Sequence, residues 1–135
     1  MGKALAIDYG LKKTGLSISD NARKIAFSLI TVRTKDLNKY LFNLIEKEKI
    51  DVFVVGYPIN LDGKITDATN HVNGFIKRLK INFPNIPINK FDERFTSKIA
   101  KQTIVNSGLN KKNRRNKELV DKVSATIILQ DYLSK

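Results

Sequence analysis

Ala4-Leu5-Ala6-Ile7-Asp8-Tyr9-Gly10 is the stretch on which the fold turns. An apolar run suited to a buried strand is interrupted by one carboxylate, with a glycine two residues later. Burying an unpaired Asp costs several kcal/mol unless hydrogen bonds, a cation or a raised pKa compensates. Asp8 is therefore either capping local backbone or holding a charged ligand. The residues that follow, Leu11 to Ser19, supply a basic turn with Lys12 and Lys13, a second glycine at Gly15 and an alternating strand.

Working outward, Thr14–Ser19 and Lys24–Val32 read as second and third strands with Asp20-Asn21 between them, an antiparallel meander. The period then changes. Within Asp36–Lys49, Leu37, Tyr40, Leu41, Leu44 and Ile45 recur at helical spacing and form one apolar stripe. Asp51-Val52-Phe53-Val54-Val55-Gly56 is a short apolar run of the kind buried on both faces of a parallel sheet. Tyr57-Pro58 ends it and Asp62-Gly63 marks a turn. Thr66–Lys80 is helical again, striped by Ala68, Val72, Phe75, Ile76 and Leu79. Ile86–Phe91 is the fifth strand, following a loop with Pro84 and Pro87. Thr96 or Ser97 caps a helix bearing Ile99, Ala100 and Ile104, which Gly108 ends. A basic stretch, Lys111 to Lys117, leads into a last helix from Lys117 to Leu133.

Three antiparallel strands followed by helix–strand–helix–strand imply an α/β fold. Right-handed crossovers set the later strands parallel to the first, in a mixed five-stranded sheet with helices on both faces. Ligands of open α/β sheets bind beyond the carboxyl ends of the strands. Asp8 lies at such an end, and Glu93 just past the end of the fifth strand. Asp121 shares a helical stripe with Ala125 and Ile128, so it is expected to face inward from the first turns of the last helix. Taken singly, each acid has an ordinary reading: a backbone cap for Asp8, a salt bridge for Glu93, a helix-dipole contact for Asp121. The topology brings all three to one edge, where three carboxylates repel unless divalent cations neutralise them. Oxygen-only ligation, no cysteine and a single histidine favour Mg²⁺ or Mn²⁺ over zinc. Such ions activate water for phosphodiester hydrolysis.

Composition agrees. At 135 residues one domain is expected, spanning 1–135. With 25 Lys and Arg against 13 Asp and Glu, a net charge of +12 points to a polyanion, most often nucleic acid. The absence of cysteine excludes disulfides and Cys-ligated zinc. The start of the chain lacks signal-peptide zones, and no apolar run approaches the ~20 residues that span a bilayer. A cytoplasmic protein with no membrane partner is expected.

Four blocks carry a family resemblance: Ile7-Asp8-Tyr9-Gly10-x-x-x-x-Gly15, Val54-Val55-Gly56-Tyr57-Pro58-x-Asn60-x-Asp62-Gly63, Asp92-Glu93-Arg94-Phe95-Thr96-Ser97 and Asp121-x-x-x-Ala125-x-Ile127-Ile128-Leu129. In order and spacing they resemble the YqgF family, also called RuvX or the Holliday-junction-resolvase family. The first block alone is weak, since actin-like ATPases share Asp-x-Gly as a phosphate turn, but those need two domains. Tyr57, where the family more often has Leu, and Ser97, where Thr is common, depart from the pattern without touching a proposed ligand. The resemblance implies an RNase H-like fold and a nuclease maturing the 5′ end of pre-16S ribosomal RNA. It also implies Asp8, Glu93 and Asp121 as catalytic acids and metal ligands. Arg94, Thr96 and Ser97 would contact phosphate, as would Lys12, Lys13 and the basic arm Lys111, Lys112, Arg114 and Arg115. Partners would be an rRNA precursor or, alternatively, a four-way DNA junction, with ribosomal particles in addition; the chain would act as a monomer or a dimer. A non-catalytic RNA-binding assembly factor is the reading from another class, disfavoured because a pure binder does not need to accumulate acids. His71, outside its helix's stripe, reads as an ordinary polar residue. Tyr9 and Tyr57 read as packing residues at strand ends, with base stacking as the alternative.

Overall fold

The computed structural model describes residues 2–60, 62–92 and 117–134; of residues 117–123 it describes the backbone only. Five strands form one sheet. They are β1 (Lys3–Asp8), β2 (Lys13–Ser19), β3 (Ala26–Arg33), β4 (Ile50–Tyr57) and β5 (Ile88–Asp92). Their order is β3-β2-β1-β4-β5, with β1 central. β1 and β2, and β2 and β3, pair antiparallel, while β4 runs parallel to both β1 and β5. This is the mixed sheet expected from the alternation of patterns.

Helices α1 (Leu37–Lys47) and α2 (Asp67–Asn82) cover one face, and α3 (Lys117–Leu133) the other. Period-two alternation in β1 sorts the two cores. Leu5 and Ile7 join Phe53, Val55, Leu41, Val72, Phe75 and Leu79 on the α1/α2 side. Ala4 and Ala6 join Val52, Val54, Phe91, Ile128 and Leu129 on the α3 side. β1 is thus apolar on both faces, and each fully buried Leu, Ile, Val or Phe contributes roughly 1.5–3 kcal/mol. The small residues at positions 4 and 6 let α3 lie close to the sheet.

The differences from expectation are local. β3 begins at Ala26 and β5 at Ile88, each two residues late. At the first, Asp20 accepts from the backbone N–H groups of Lys24 and Ile25 and so holds that segment in the turn. A 3-10 turn, Thr34–Asp36, precedes α1, which starts at Leu37. In α2, Ala68 is exposed and Thr69 occupies the buried position expected of it. Thr69 is part of a capping box with Thr66, and its hydroxyl also donates to the Pro58 carbonyl. The helix expected near residues 97–108 and the basic arm lie outside the described residues.

Candidate active site at the carboxyl edge of the parallel strands

Because β1, β4 and β5 are parallel, their last residues, Asp8, Tyr57 and Asp92, share one edge of the sheet. Asp8 is half-buried and has the parity of Ala4 and Ala6, so its side chain belongs to the α3 face. Its partner across β2 is Gly15. On the other side, Ile7 pairs with Val55, so the next step sets Gly56 level with Asp8, and Gly56 pairs with Phe91. The carboxylate therefore has a glycine on each neighbouring strand, and both glycines are buried.

The course of α3 follows from its contacts. Ile128 and Leu129 pack on Ala4, Ala6, Val52 and Val54. Gln130 accepts from the Ala26 amide (3.1 Å) and donates to the Lys24 carbonyl (3.3 Å). Ala26 pairs with Ser19, whose hydroxyl accepts from the Ala4 amide (2.8 Å), so Gln130 sits at the level of Ala4, near the start of β1. Ser124 and Ala125 remain buried, so the helix runs back across the sheet toward the end of β1. Nine residues of helix from Gln130 to Asp121 rise about 13.5 Å, and four residues of strand from Ala4 to Asp8 rise about 13 Å. The backbone of residue 121 thus reaches the level of Asp8. The side chain of Asp121 is not among those described.

Glu93 follows Asp92 directly in sequence and, like Arg94, Thr96, Ser97, Lys111, Lys112, Arg114 and Arg115, lies outside the described residues. Among the described residues there is no group of three His, Cys, Asp or Glu side chains able to hold a metal ion. Asp8 is the one proposed ligand whose side chain is described.

Lys12 and Lys13 are exposed on the turn between β1 and β2. That turn is tight: a Cβ on Gly10 would run into the Lys13 carbonyl, so only glycine fits without a shift. Thr34 clamps it. Its amide donates to the Lys12 carbonyl (2.9 Å), its hydroxyl to the Gly10 carbonyl (2.6 Å), and it shares a hydrogen bond with the Thr14 hydroxyl (2.9 Å). Thr14 is fully buried, so these bonds anchor the surface turn to the core. Sequence reasoning missed Thr34 because its three partners are 20 or more residues away. Only register reveals them.

The two tyrosines at this edge point to the α1/α2 side. Tyr9 stacks on Phe75, with centroids 4.4 Å apart and planes 10° from parallel, and its hydroxyl accepts from Arg78 (3.2 Å). Tyr57 accepts from Asn73 (2.9 Å), and Lys90 lies 4.7 Å from its ring centre. Both rings are therefore engaged in packing within the chain. His71 is exposed on α2.

Residues 2–135 match the family model RuvX, described as Holliday junction resolvase. The chain belongs to the RuvX family. A relative from Amoebophilus asiaticus is 48% identical over 134 residues, covering 99% of this chain and 95% of its own length. One from Flavobacterium psychrophilum is 44% identical over 135 residues, covering 100% and 98%. Both are named "Putative pre-16S rRNA nuclease". Among solved structures, T. thermophilus RuvC in complex with Holliday junction substrate superposes with a TM-score of 0.59 at 14% identity, covering 95% of this chain and 92% of that one. The Fowlpox virus resolvase bound to Holliday junction DNA gives 0.55 at 14% identity, covering 98% and 97%. At such identities the likeness is one of fold. It agrees with the RNase H-like architecture that the RuvX resemblance implies. Among the described residues, no helix is long and apolar enough to cross a membrane.

Proposed function

We propose that this RuvX family member is a divalent-metal-dependent nuclease that matures the 5′ end of a 16S rRNA precursor, with Asp8, Glu93 and Asp121 as its catalytic acids. The observation that carries the reading is the position of Asp8. It ends the central strand, between Gly15 and Gly56, at the edge where β5 ends one residue before Glu93 and toward which α3 brings residue 121.

The residues fit an oxygen-ligated cation. Asp8 offers a carboxylate at the end of β1, and Glu93, the next residue in sequence after the end of β5, offers a second. Asp121, from the early turns of α3, offers a third. Mg²⁺ or Mn²⁺ held there by Asp8, Glu93 and Asp121 would supply Lewis-acid activation for phosphodiester hydrolysis. Mutual repulsion of three acids is relieved by binding the cation, so the site gains affinity from charges that would otherwise destabilise it. Rigid placement is the protein's main contribution, since Asp8 extends from a strand buried on both faces. Lys12 and Lys13 on the clamped turn hold the phosphate backbone, joined by Arg94, Thr96, Ser97, Lys111, Lys112, Arg114 and Arg115.

The relatives' names favour the rRNA precursor, and the family description supports a second reading, resolution of four-way DNA junctions. Symmetric cutting of a junction requires two copies of the site. The deciding experiment offers both substrates, with Mg²⁺ or Mn²⁺, to the protein and to its Asp8→Asn variant. Cleavage of RNA spanning a 16S precursor 5′ end, lost in the variant, is the expected result. Paired nicks in the junction alone would transfer the reading to resolution. Equal activity of both proteins would remove Asp8 from the mechanism.

A further inference from the structure

Two connections leave the carboxyl edge at which Asp8 lies: the turn from β1 to β2 and the loop from β4 to α2. β1 and β4 are neighbours, roughly 4.8 Å apart, so the two connections start side by side. Each carries an aliphatic residue that is mostly in water, Leu11 at 64% and Ile65 at 63% exposure. Each also has an exposed lysine next to that residue in sequence, Lys12 after Leu11 and Lys64 before Ile65.

Main-chain bonds impose this exposure. The carbonyls on either side of Leu11 both accept from Thr34, that of Gly10 from its hydroxyl (2.6 Å) and that of Lys12 from its amide (2.9 Å). In the loop, Ile65 bridges Ile59 in antiparallel register, the Asn60 amide donates to the Lys64 carbonyl (3.1 Å), and the Thr66 N-cap follows. The backbone at both tips is therefore set before a partner arrives, and little conformational entropy is lost on contact. A single exposed aliphatic residue is ordinary on a protein surface. Lys80-Ile81, near the end of α2 and so toward the start of β5, has the same make-up, with Ile81 78% exposed. What sets Leu11 and Ile65 apart is that two fixed tips stand on adjacent connections of the edge that holds Asp8. A nucleotide strand presents an apolar base face and a phosphate at each step, which an aliphatic residue beside a lysine complements.

We infer that Leu11 and Ile65 contact the bases of the substrate, each resting against the face of an unpaired base while its neighbouring lysine meets a phosphate. The strand is thereby held single where it crosses the Asp8 edge. This rests on the nuclease reading and deepens it by naming the substrate's class, an unpaired segment of RNA. Inside a duplex the base faces are stacked on one another, and an aliphatic side chain reaches one only where the strand is unpaired or unstacked. Neither residue is a fixed position of the family's motif blocks.

Binding is measured by fluorescence anisotropy in an Asp8→Asn parent, so that no probe is consumed. The labelled probes are a single-stranded RNA about 12 nucleotides long, the same strand annealed to its complement, and an abasic sugar–phosphate strand of equal length. Leu11→Ser/Ile65→Ser is compared with Ile81→Ser. On the ordinary single strand the edge pair is expected to weaken binding about tenfold, with an unchanged log–log salt slope because no phosphate contact is removed. On the abasic strand and the duplex the edge pair should match the parent, and Ile81→Ser should match it on all three probes. Leu11→Met/Ile65→Leu, which keeps the apolar surface, should bind as the parent does, with all melting temperatures alike. Equal loss on the ordinary and abasic strands, or no loss on either, would overturn the base contact while the nuclease reading stands. A parent that binds only the duplex would do the same. If the parent binds none of the three probes, both readings fall.

Discussion

Asp8 and Asp51 stand at opposite edges of the same sheet, and the chain treats them differently. Asp51, at the start of β4, is neutralised by the chain itself. The Gly2 amide donates to it at 2.6 Å and the Arg23 guanidinium at 3.1 Å. That backbone hydrogen bond, helped by the charges of Lys49 and Arg23, holds its carboxyl below the usual range despite partial burial. Gly2 is so closely packed that a Cβ there would strike the Asp51 carboxylate and the Lys49 carbonyl. At the other edge, Asp8 has glycines on both neighbouring strands, another acid at the end of β5, and a lysine turn beside it. One edge holds its aspartate with a backbone amide and an arginine. The other gathers Asp8 and Asp92 at the ends of parallel strands beside the Lys12–Lys13 turn, a grouping of ionisable residues of the kind found at functional sites.

The largest expected effect separates the two aspartates by function. Asp8→Asn should lower cleavage by about a thousandfold, some 4 kcal/mol of transition-state stabilisation, while leaving the melting temperature within a few degrees of wild type. Asp51→Asn should do the reverse in the same two assays, keeping turnover and losing stability. A variant of Asp51 that loses cleavage as severely would erase the distinction.

Next comes a matched pair of glycine substitutions. Gly2→Ala and Gly10→Ala each force a Cβ against backbone or carboxylate oxygen, and each should cost about 1–3 kcal/mol in chemical denaturation. Only Gly10→Ala should also raise KM, because it displaces the turn bearing Lys12 and Lys13. Equal KM values would show that the turn does not position substrate.

The smallest effect concerns pH. The carboxyl of Asp51 titrates lower in the folded protein than in the unfolded chain. Its contribution to stability is therefore present above the unfolded pKa, near 3.8, and is lost as pH falls through the folded value. Between about pH 6 and pH 3, wild type should lose more of its thermal stability than Asp51→Asn does. Parallel melting curves across that range would assign no such role to the Gly2–Arg23 cradle.

Much of the fold was readable without coordinates because it rests on local periodicity. The switch from period two to 3.6 after Val32, and back at Asp51, correctly indicates three antiparallel strands followed by parallel ones. Where the reading slipped, a side chain was bonding to distant or turn backbone. Asp20 holds Lys24 and Ile25 in a turn, and Thr69 replaces Ala68 on the buried face because it caps its own helix. No hydrophobicity pattern registers such bonds.

The chain's own order of residues determined that β1 is apolar between Lys3 and Asp8, that the molecule is strongly basic, and that acids recur at positions 93 and 121. These are properties of composition and spacing along one dimension. Tertiary pairing settled the rest: that Gly15 and Gly56 flank Asp8, that α3 packs on the same face of the sheet, and that Thr34 clamps the turn bearing Lys12 and Lys13. Those relations join residues from 7 to 104 positions apart. They depend on strand register and helix direction, which packing of the whole core imposes and no local stretch contains.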